Sequence, residues 1–550
     1  MSPKKRKNHK YIFVTGGVMS GVGKGITTAS IGTILQSMGY RVNLSKVDPY
    51  LNVDAGTMNP TEHGEVFVMN SGLETDQDMG NYERFLNKDL TTADYMTSGM
   101  VYKHVIDKER NLGFGGHCVE AIPDVRDEII SRYERAAHES DSDVSIVEIG
   151  GTIGDYQNAL FMEAARVLKV RFPRDVIFLM VSYLPVPGAL GEMKTRPTQN
   201  AVRQLNSYGI HADFLIARSH IAIDDKRKEK LAINCNVPKE HVISAPDIDS
   251  IYEVPLNFEK DNIGVLITAA LGLRSKKPDM KKWAKFVKSR ATAEKKIKIA
   301  VVGKYFDTGS FVLADSYYSV IEAIKYSAYA HGAKPELMWV NSKIFDKDPK
   351  SVANELAGVD GIIVPGGFGE KGIEGKIAVI KYAREKKIPY FGLCYGMQLL
   401  VIEYARNVLG ISDANTAEIA PAGKNNVIDI MPEQKKLIAE KKMGGSMRLG
   451  SYKCKLGAGT IARDAYGAAE ITERHRHRYE VNPDYVEKLK SAGLVFSGTS
   501  PDGHLMEIAE IPRDTHPFML GTQFHPEFLA RPLAPHPLFS EFVKTILQKK

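Results

Sequence analysis

The sequence predicts an α/β protein of two doubly wound, mostly parallel-sheet domains joined by a basic linker. Three observations carry this expectation. Apolar strand candidates alternate with helical stretches from Tyr11 to about Gly272, the pattern of βα units wound about a parallel sheet. The alternation then halts in a segment, residues 274–298, that carries eleven basic and two acidic side chains. A new apolar strand at 297–302 opens a second α/β series.

The first series places strands at 11–17, 42–47, 144–149, 176–183 and 213–218, and the second at 297–302, 337–340, 361–364 and 389–393. In such sheets ligands sit at the carboxyl ends of the strands. The reading divides the chain into a basic tail (1–10), a first domain (11–273), a linker with one helix near 280–288 (274–296) and a second domain (297–550). A length of 550 residues agrees, being too much for one ordinary core.

Composition removes several classes of function. The net charge of +7 is local: the tail contributes +5 and residues 274–298 contribute +9, leaving the rest of the chain at −7. A broad nucleic-acid face is therefore not expected. The tail's Pro3-Lys4-Lys5-Arg6-Lys7 has the form of an import signal but reads as a solvated tail. No apolar run reaches the length of a membrane span. The four cysteines (Cys118, Cys235, Cys394 and Cys454) show no paired or metal-type spacing, which fits a reducing, cytoplasmic setting.

Two motifs carry chemistry. Residues 11–25 run from an apolar strand into a glycine-rich turn, Gly21-Val22-Gly23-Lys24-Gly25, followed by Ile26 and a helical pattern. Such a turn aims backbone N–H groups and a helix N-terminus at phosphates, with Lys24 reaching the terminal ones. Val18 stands at the first glycine position of the usual phosphate loop and Gly25 at its Ser/Thr position. The usual metal hydroxyl is thus missing, and carboxylates elsewhere are required for magnesium. Glu74, Asp76, Asp78 and Glu148 have the right chemistry.

In the second motif, Gly392-Leu393-Cys394-Tyr395-Gly396, glycines permit a sharp strand-to-helix turn that lifts a nucleophile above the sheet. His525 can take the thiol proton and Glu527 can orient the imidazole. The loop Gly366-Gly367-Phe368-Gly369 and the amide at Tyr395 supply oxyanion donors. This half of the chain is expected to break an amide, and a nucleotide site at the other end suggests ATP-driven amination. On a strand, the run Arg474-His475-Arg476-His477-Arg478 would place arginines on one face and histidines on the other.

From Tyr11 to about Gln548 the residues resemble the CTP synthase family, with a P-loop-like synthetase (amidoligase) domain followed by a class I glutaminase domain. The resemblance is carried by Ser20 to Gly25, the run Lys46-Val-Asp48-Pro-Tyr-Leu-Asn-Val-Asp54, His63 to Phe67, Lys194-Thr195-Arg196-Pro197-Thr198-Gln199, and the Cys394 and His525 motifs. It implies a homotetrameric, filament-forming ligase of pyrimidine biosynthesis. Its substrates would be UTP, ATP and L-glutamine, with CTP as feedback inhibitor, GTP as allosteric activator and Mg2+ as cofactor. Neither nucleic acid nor membrane would be a partner.

The resemblance also implies roles for individual residues. Residues Gly21 to Ile26, with Asp78, Asp247 and Ile248, would bind ATP, and Asp78 and Glu148 would hold the metal. Ser20, Lys194 to Gln199 and Lys230 would contact UTP, and Asp155, Tyr156 and Gln157 the inhibitor CTP. Gly367, Tyr395, Gly396, Met397, Gln398, Glu418 and Arg478 would cradle glutamine, with Cys394, His525 and Glu527 as the triad. His63 and Val66 would line an ammonia passage. The chain departs from the family pattern at Gln157, where a carboxylate is usual, in the longer loop at 306–313 and in the lysine-rich segment 433–443.

Overall fold

The computed structural model describes residues 9–59, 64–188, 191–303, 314–431, 434 and 445–549. His63, residues 1–8 of the basic tail, the segment 306–313 and all of 433–443 except Gln434 lie outside the described residues. The chain forms two compact units: residues 1–54 with 81–287, and residues 55–80 with 288–550. Residues 55–80, which the sequence reading places in the first domain, thus cluster with the second unit.

The α/β expectation is met in both units. Among the described residues the first holds a seven-stranded sheet, all parallel. Its spatial order is Tyr95–Thr97, Val42–Asp48, Val144–Ile149, Lys10–Gly17, Val176–Tyr183, Phe214–Ser219, Val242–Pro246. The central strands are buried along their length, as expected of a parallel sheet covered on both faces. Gly16, Gly150 and Arg218 therefore lie at or just beyond the carboxyl ends of neighbouring strands.

The basic connector contains the helix Lys281–Ala291. Trp283 on this helix is 3% exposed, donates its indole N–H to Tyr252 O at 2.7 Å and packs against Phe85 with ring centroids 5.1 Å apart. The lysines remain on the wet side while the aromatic face fixes the helix to the first unit.

The second unit has a nine-stranded sheet with two characters. Ala333–Asn341, Lys295–Gly303, Gly361–Val364, Tyr390–Leu393 and Met519–Thr522 pair in parallel. Met506–Ile511, Val495–Thr499, Arg448–Leu456 and Glu470–His477 extend it as an antiparallel half. The nucleophile elbow lies in the parallel half and the Arg-His run in the antiparallel half.

Candidate active sites

The phosphate loop follows the strand Lys10–Gly17 and leads into the helix Lys24–Ser37. Gly23 caps that helix at φ +90°, and Val18 sits at φ +77°. A β-branched residue there is strained, so the turn keeps its shape although the usual glycine is absent. Lys24 folds over Gly16, where an added Cβ would lie 2.9 Å from the lysine chain, and donates to Gly151 O at 3.0 Å. Beside it is a cavity of about 220 Å³ lined by Gly23, Ile26, Arg218, Asp247, Ile248 and Phe258, among others. Arg218 spans the carbonyls of Ala245 and Pro246 and meets Asp247 at 2.8 Å. The structure thus gathers the loop, Asp247 and Ile248 around one cavity.

Glu148 ends its strand almost fully buried, accepting from Lys46 Nζ at 2.9 Å and from the Tyr82 hydroxyl. Its carboxylate stands three residues before Gly151, the residue that holds Lys24, and fits a magnesium ion that keeps most of its waters. Asp78 lies in the first turn of the helix Gln77–Leu86, its N–H donating to Asp76 Oδ1. Glu74, like Glu148, is 1% exposed, and it pairs with Arg476 Nε at 2.7 Å.

The Lys194 to Gln199 run divides in two. Lys194, Arg196 and Pro197 are partly or fully exposed, Lys194 meeting Glu192 at 2.5 Å. Thr195, Thr198 and Gln199 are buried; Thr198 bonds to Ser182 and Tyr183 O, and Gln199 to Thr195. Ser20, Lys230, Asp155, Tyr156 and Gln157 are exposed. Asp155 accepts from Thr152 N–H, and buried Asn158 ties the turn to the carbonyls of Gly150 and Thr152.

In the second unit Cys394 stands between the strand Tyr390–Leu393 and the helix Tyr395–Asn407 at φ +50°, ψ −97°. The turn needs its glycines: a Cβ on Gly396 would lie 2.2 Å from Val364 O, and one on Gly366 would lie 2.9 Å from the His525 ring. A cavity of about 80 Å³ is lined by Cys394, His525, Glu527, Gly367, Phe368 and Val66, with Arg476 beside them. His525 Nδ1 and Glu527 Oε1 are 2.7 Å apart. Burial opposes charge on this imidazole, but Glu527 and Cys394 outweigh it and raise His525 to about 10. The imidazole therefore holds a proton beside the sulfur.

The glutamine residues implied by the resemblance are placed unevenly. Gly367 lines the cavity, and Glu418 accepts from Gly369 N–H at 2.7 Å. Arg478, 7% exposed, donates to Gln434 and Ser446. Tyr395, Gly396, Met397 and Gln398 form the buried first turn of the helix, and the Gln398 side chain is committed to Tyr479 O and Gln523.

The Arg-His strand alternates as expected. Arg474 and Arg476 bind Asn70 and Glu74, while His475 and His477 share the other face with Arg448 and Glu507. Burial and the Arg448 charge push His477 down to about 3. Sequence reasoning missed the roles of Asn70, Glu74, Arg448 and Gln523, whose partners lie far away in the chain; only the alternation of charge in 474–478 hinted at two-faced bonding.

Comparison with known proteins decides the family. Residues 10–273 match the model for the CTP synthase N-terminus, and residues 312–545 that for class I glutamine amidotransferases. The chain belongs to the CTP synthase family. It is 48% identical over 540 residues to the CTP synthase of Carboxydothermus hydrogenoformans, covering 98% of this chain and 99% of the relative. It is also 48% identical over 543 residues to that of Thermococcus gammatolerans, with the same shares covered. Among solved structures, the glutaminase domain of Trypanosoma brucei CTPS with bound acivicin is 35% identical. That match covers 46% of this chain and 95% of the other, with a TM-score of 0.41.

As a CTP synthase the protein is a ligase, EC 6.3.4.2, making CTP from UTP in pyrimidine biosynthesis with ATP as co-substrate and glutamine as nitrogen source. Among the described residues no helix is long and apolar enough to cross a membrane.

Proposed function

We propose that the chain aminates UTP in three chemical stages. In the first unit, ATP phosphorylates O4 of the uracil, turning a poor leaving group into phosphate. Lys24 and the loop amides hold the transferring phosphoryl group, and the cavity at Asp247 and Ile248 takes the rest of ATP. Exposed Ser20, Lys194, Arg196 and Lys230 offer hydrogen bonds and charge to the UTP triphosphate. Magnesium, held by Glu148 and Asp78, would neutralise phosphate charge when bound.

In the second unit, Cys394 attacks the glutamine side-chain amide to give a thioester and ammonia, with the Gly367 and Tyr395 amides facing the oxyanion. His525 passes its proton to the departing nitrogen, and Glu527 holds the ring. Glu418 and Arg478 complete the glutamine cradle. Ammonia leaves past Val66 and displaces phosphate from C4, sheltered from water that would protonate it. The strained turn that holds Cys394 next to His525 and Glu527, in a cavity that Val66 also lines, carries this reading. Acid quenching with labelled glutamine tests it: a glutamyl adduct on Cys394 supports the thioester, and label elsewhere overturns it.

For regulation, CTP feedback is assigned to the turn Asp155-Tyr156-Gln157, which is exposed beside the phosphate loop's Gly151 contact. The family resemblance supports GTP activation, a cytoplasmic homotetramer and filaments.

A further inference from the structure

Gln523 follows the strand Met519–Thr522, next to the strand that carries the nucleophile. It is 1% exposed, and its N–H donates to Glu507 O at 2.8 Å. Cys394 N–H donates to the preceding carbonyl, Thr522 O, at 2.6 Å. The backbone therefore fixes Gln523 against the elbow. Its Nε2 lies 3.6 Å from Cys394 Sγ, a donor distance suited to sulfur.

The direction of this amide follows from its neighbours. Tyr479 O can only accept, so the nitrogen of Gln398 must face it, at 2.9 Å. The second hydrogen of that nitrogen points to Gln523, 3.2 Å away, which must present oxygen. The Gln523 NH2 is left to face the sulfur. On its other side the thiol can donate to Arg476 O at 3.8 Å, a carbonyl that serves the protonated sulfur and repels the ionised one. The pocket thus holds an acceptor for the thiol and, in Gln523, a donor for the thiolate.

We propose that Gln523 is a catalytic residue of the glutaminase, donating a hydrogen bond that stabilises Cys394 sulfur when it carries charge, both before attack and as the leaving group of the thioester. The inference rests on Cys394 as nucleophile. A hydrogen bond to an ionised acceptor converts to about 10- to 100-fold in rate.

The test is the pH dependence of iodoacetamide alkylation in the full-length protein, with the alkylated residue located by mass spectrometry, alongside glutamine hydrolysis. Gln523→Leu removes the donor, and Gln523→Met removes it at nearly the same size without adding charge. In both variants half-maximal alkylation should move to higher pH, and kcat for glutamine hydrolysis should fall about 10- to 100-fold with KM little changed. A purely packing role predicts that the similarly sized, uncharged Met variant keeps the wild-type profile, and that result overturns the proposal even if the Leu variant fails to fold. An unshifted profile with alkylation still at Cys394 overturns the Gln523 role alone. Inactivation through another residue overturns the nucleophile assignment and this proposal with it.

Discussion

Buried Glu74 and partly buried Arg476 form an ion pair, Nε to carboxylate at 2.7 Å, across 402 residues of chain. Next to it Arg474 donates to Asn70 Oδ1 at 2.6 Å and to Val68 O at 3.1 Å. A short hairpin, Phe67–Val68 against Glu74–Thr75, is thereby built into the unit that carries Cys394. The backbone carbonyl of the same Arg476 faces the Cys394 sulfur.

Breaking this pair leaves a charge with little water, so Glu74→Ala should cost about 3 kcal/mol of stability in the second unit. Adding Arg476→Met should return much of that loss. Urea unfolding followed by a probe in the second unit measures both, and additive losses in the double variant would contradict a direct pairing.

Acid should weaken the same unit through its histidines. His477 is held neutral, at about 3, by burial and by Arg448, with His475 and His525 also nearby. The unfolded imidazole titrates near 6.5, so between these values the unfolded state binds a proton that the folded state refuses. Stability is then fully present above about 6.5 and falls as pH drops toward 3, by roughly 1 kcal/mol per pH unit from this residue. His477→Gln should flatten the dependence of the urea midpoint on pH between 6 and 4. An unchanged slope would mean that His477 is charged in the folded protein.

Much of this was legible beforehand, for physical reasons. The phosphate loop and the elbow are local: glycine spacing and one reactive side chain determine the turn, so Lys24 and Cys394 could be read directly. Alternation in 474–478 gave the two faces of a strand because side-chain direction has a period of two. The partners on those faces, Glu74 and Asn70 on one side and Glu507 on the other, are tertiary and left no periodic trace. Glu74 reads as one carboxylate of an acidic cluster, and its pairing with Arg476 is legible only in the fold. The bonds of the Thr198 hydroxyl to Ser182 and Tyr183 O at a buried helix start are likewise tertiary and not legible in the motif.

Lys24→Ala should abolish CTP formation from either glutamine or ammonia, since phosphoryl transfer loses its main cation, while glutamine hydrolysis persists at least in part. Assays with each nitrogen source measure this. Ammonia-dependent synthesis near the wild-type rate would contradict the phosphate-loop assignment.

Gln157 offers an amide where the family resemblance implies a carboxylate facing ribose hydroxyls. Gln157→Glu should therefore tighten CTP inhibition, by about tenfold, with a smaller effect on turnover. The CTP inhibition constant at fixed UTP, measured in both proteins, checks it. Equal constants, or weaker inhibition in the Glu variant, would place the contact elsewhere.

The division of labour between a glutamine-cleaving thiol and a separate nucleotide site is tested most directly by Cys394→Ala, assayed for CTP with glutamine and then with ammonia. Removing the thiolate removes only the nitrogen source. The account predicts no CTP from glutamine and near wild-type synthesis from ammonia; loss of both activities in a folded variant would contradict it.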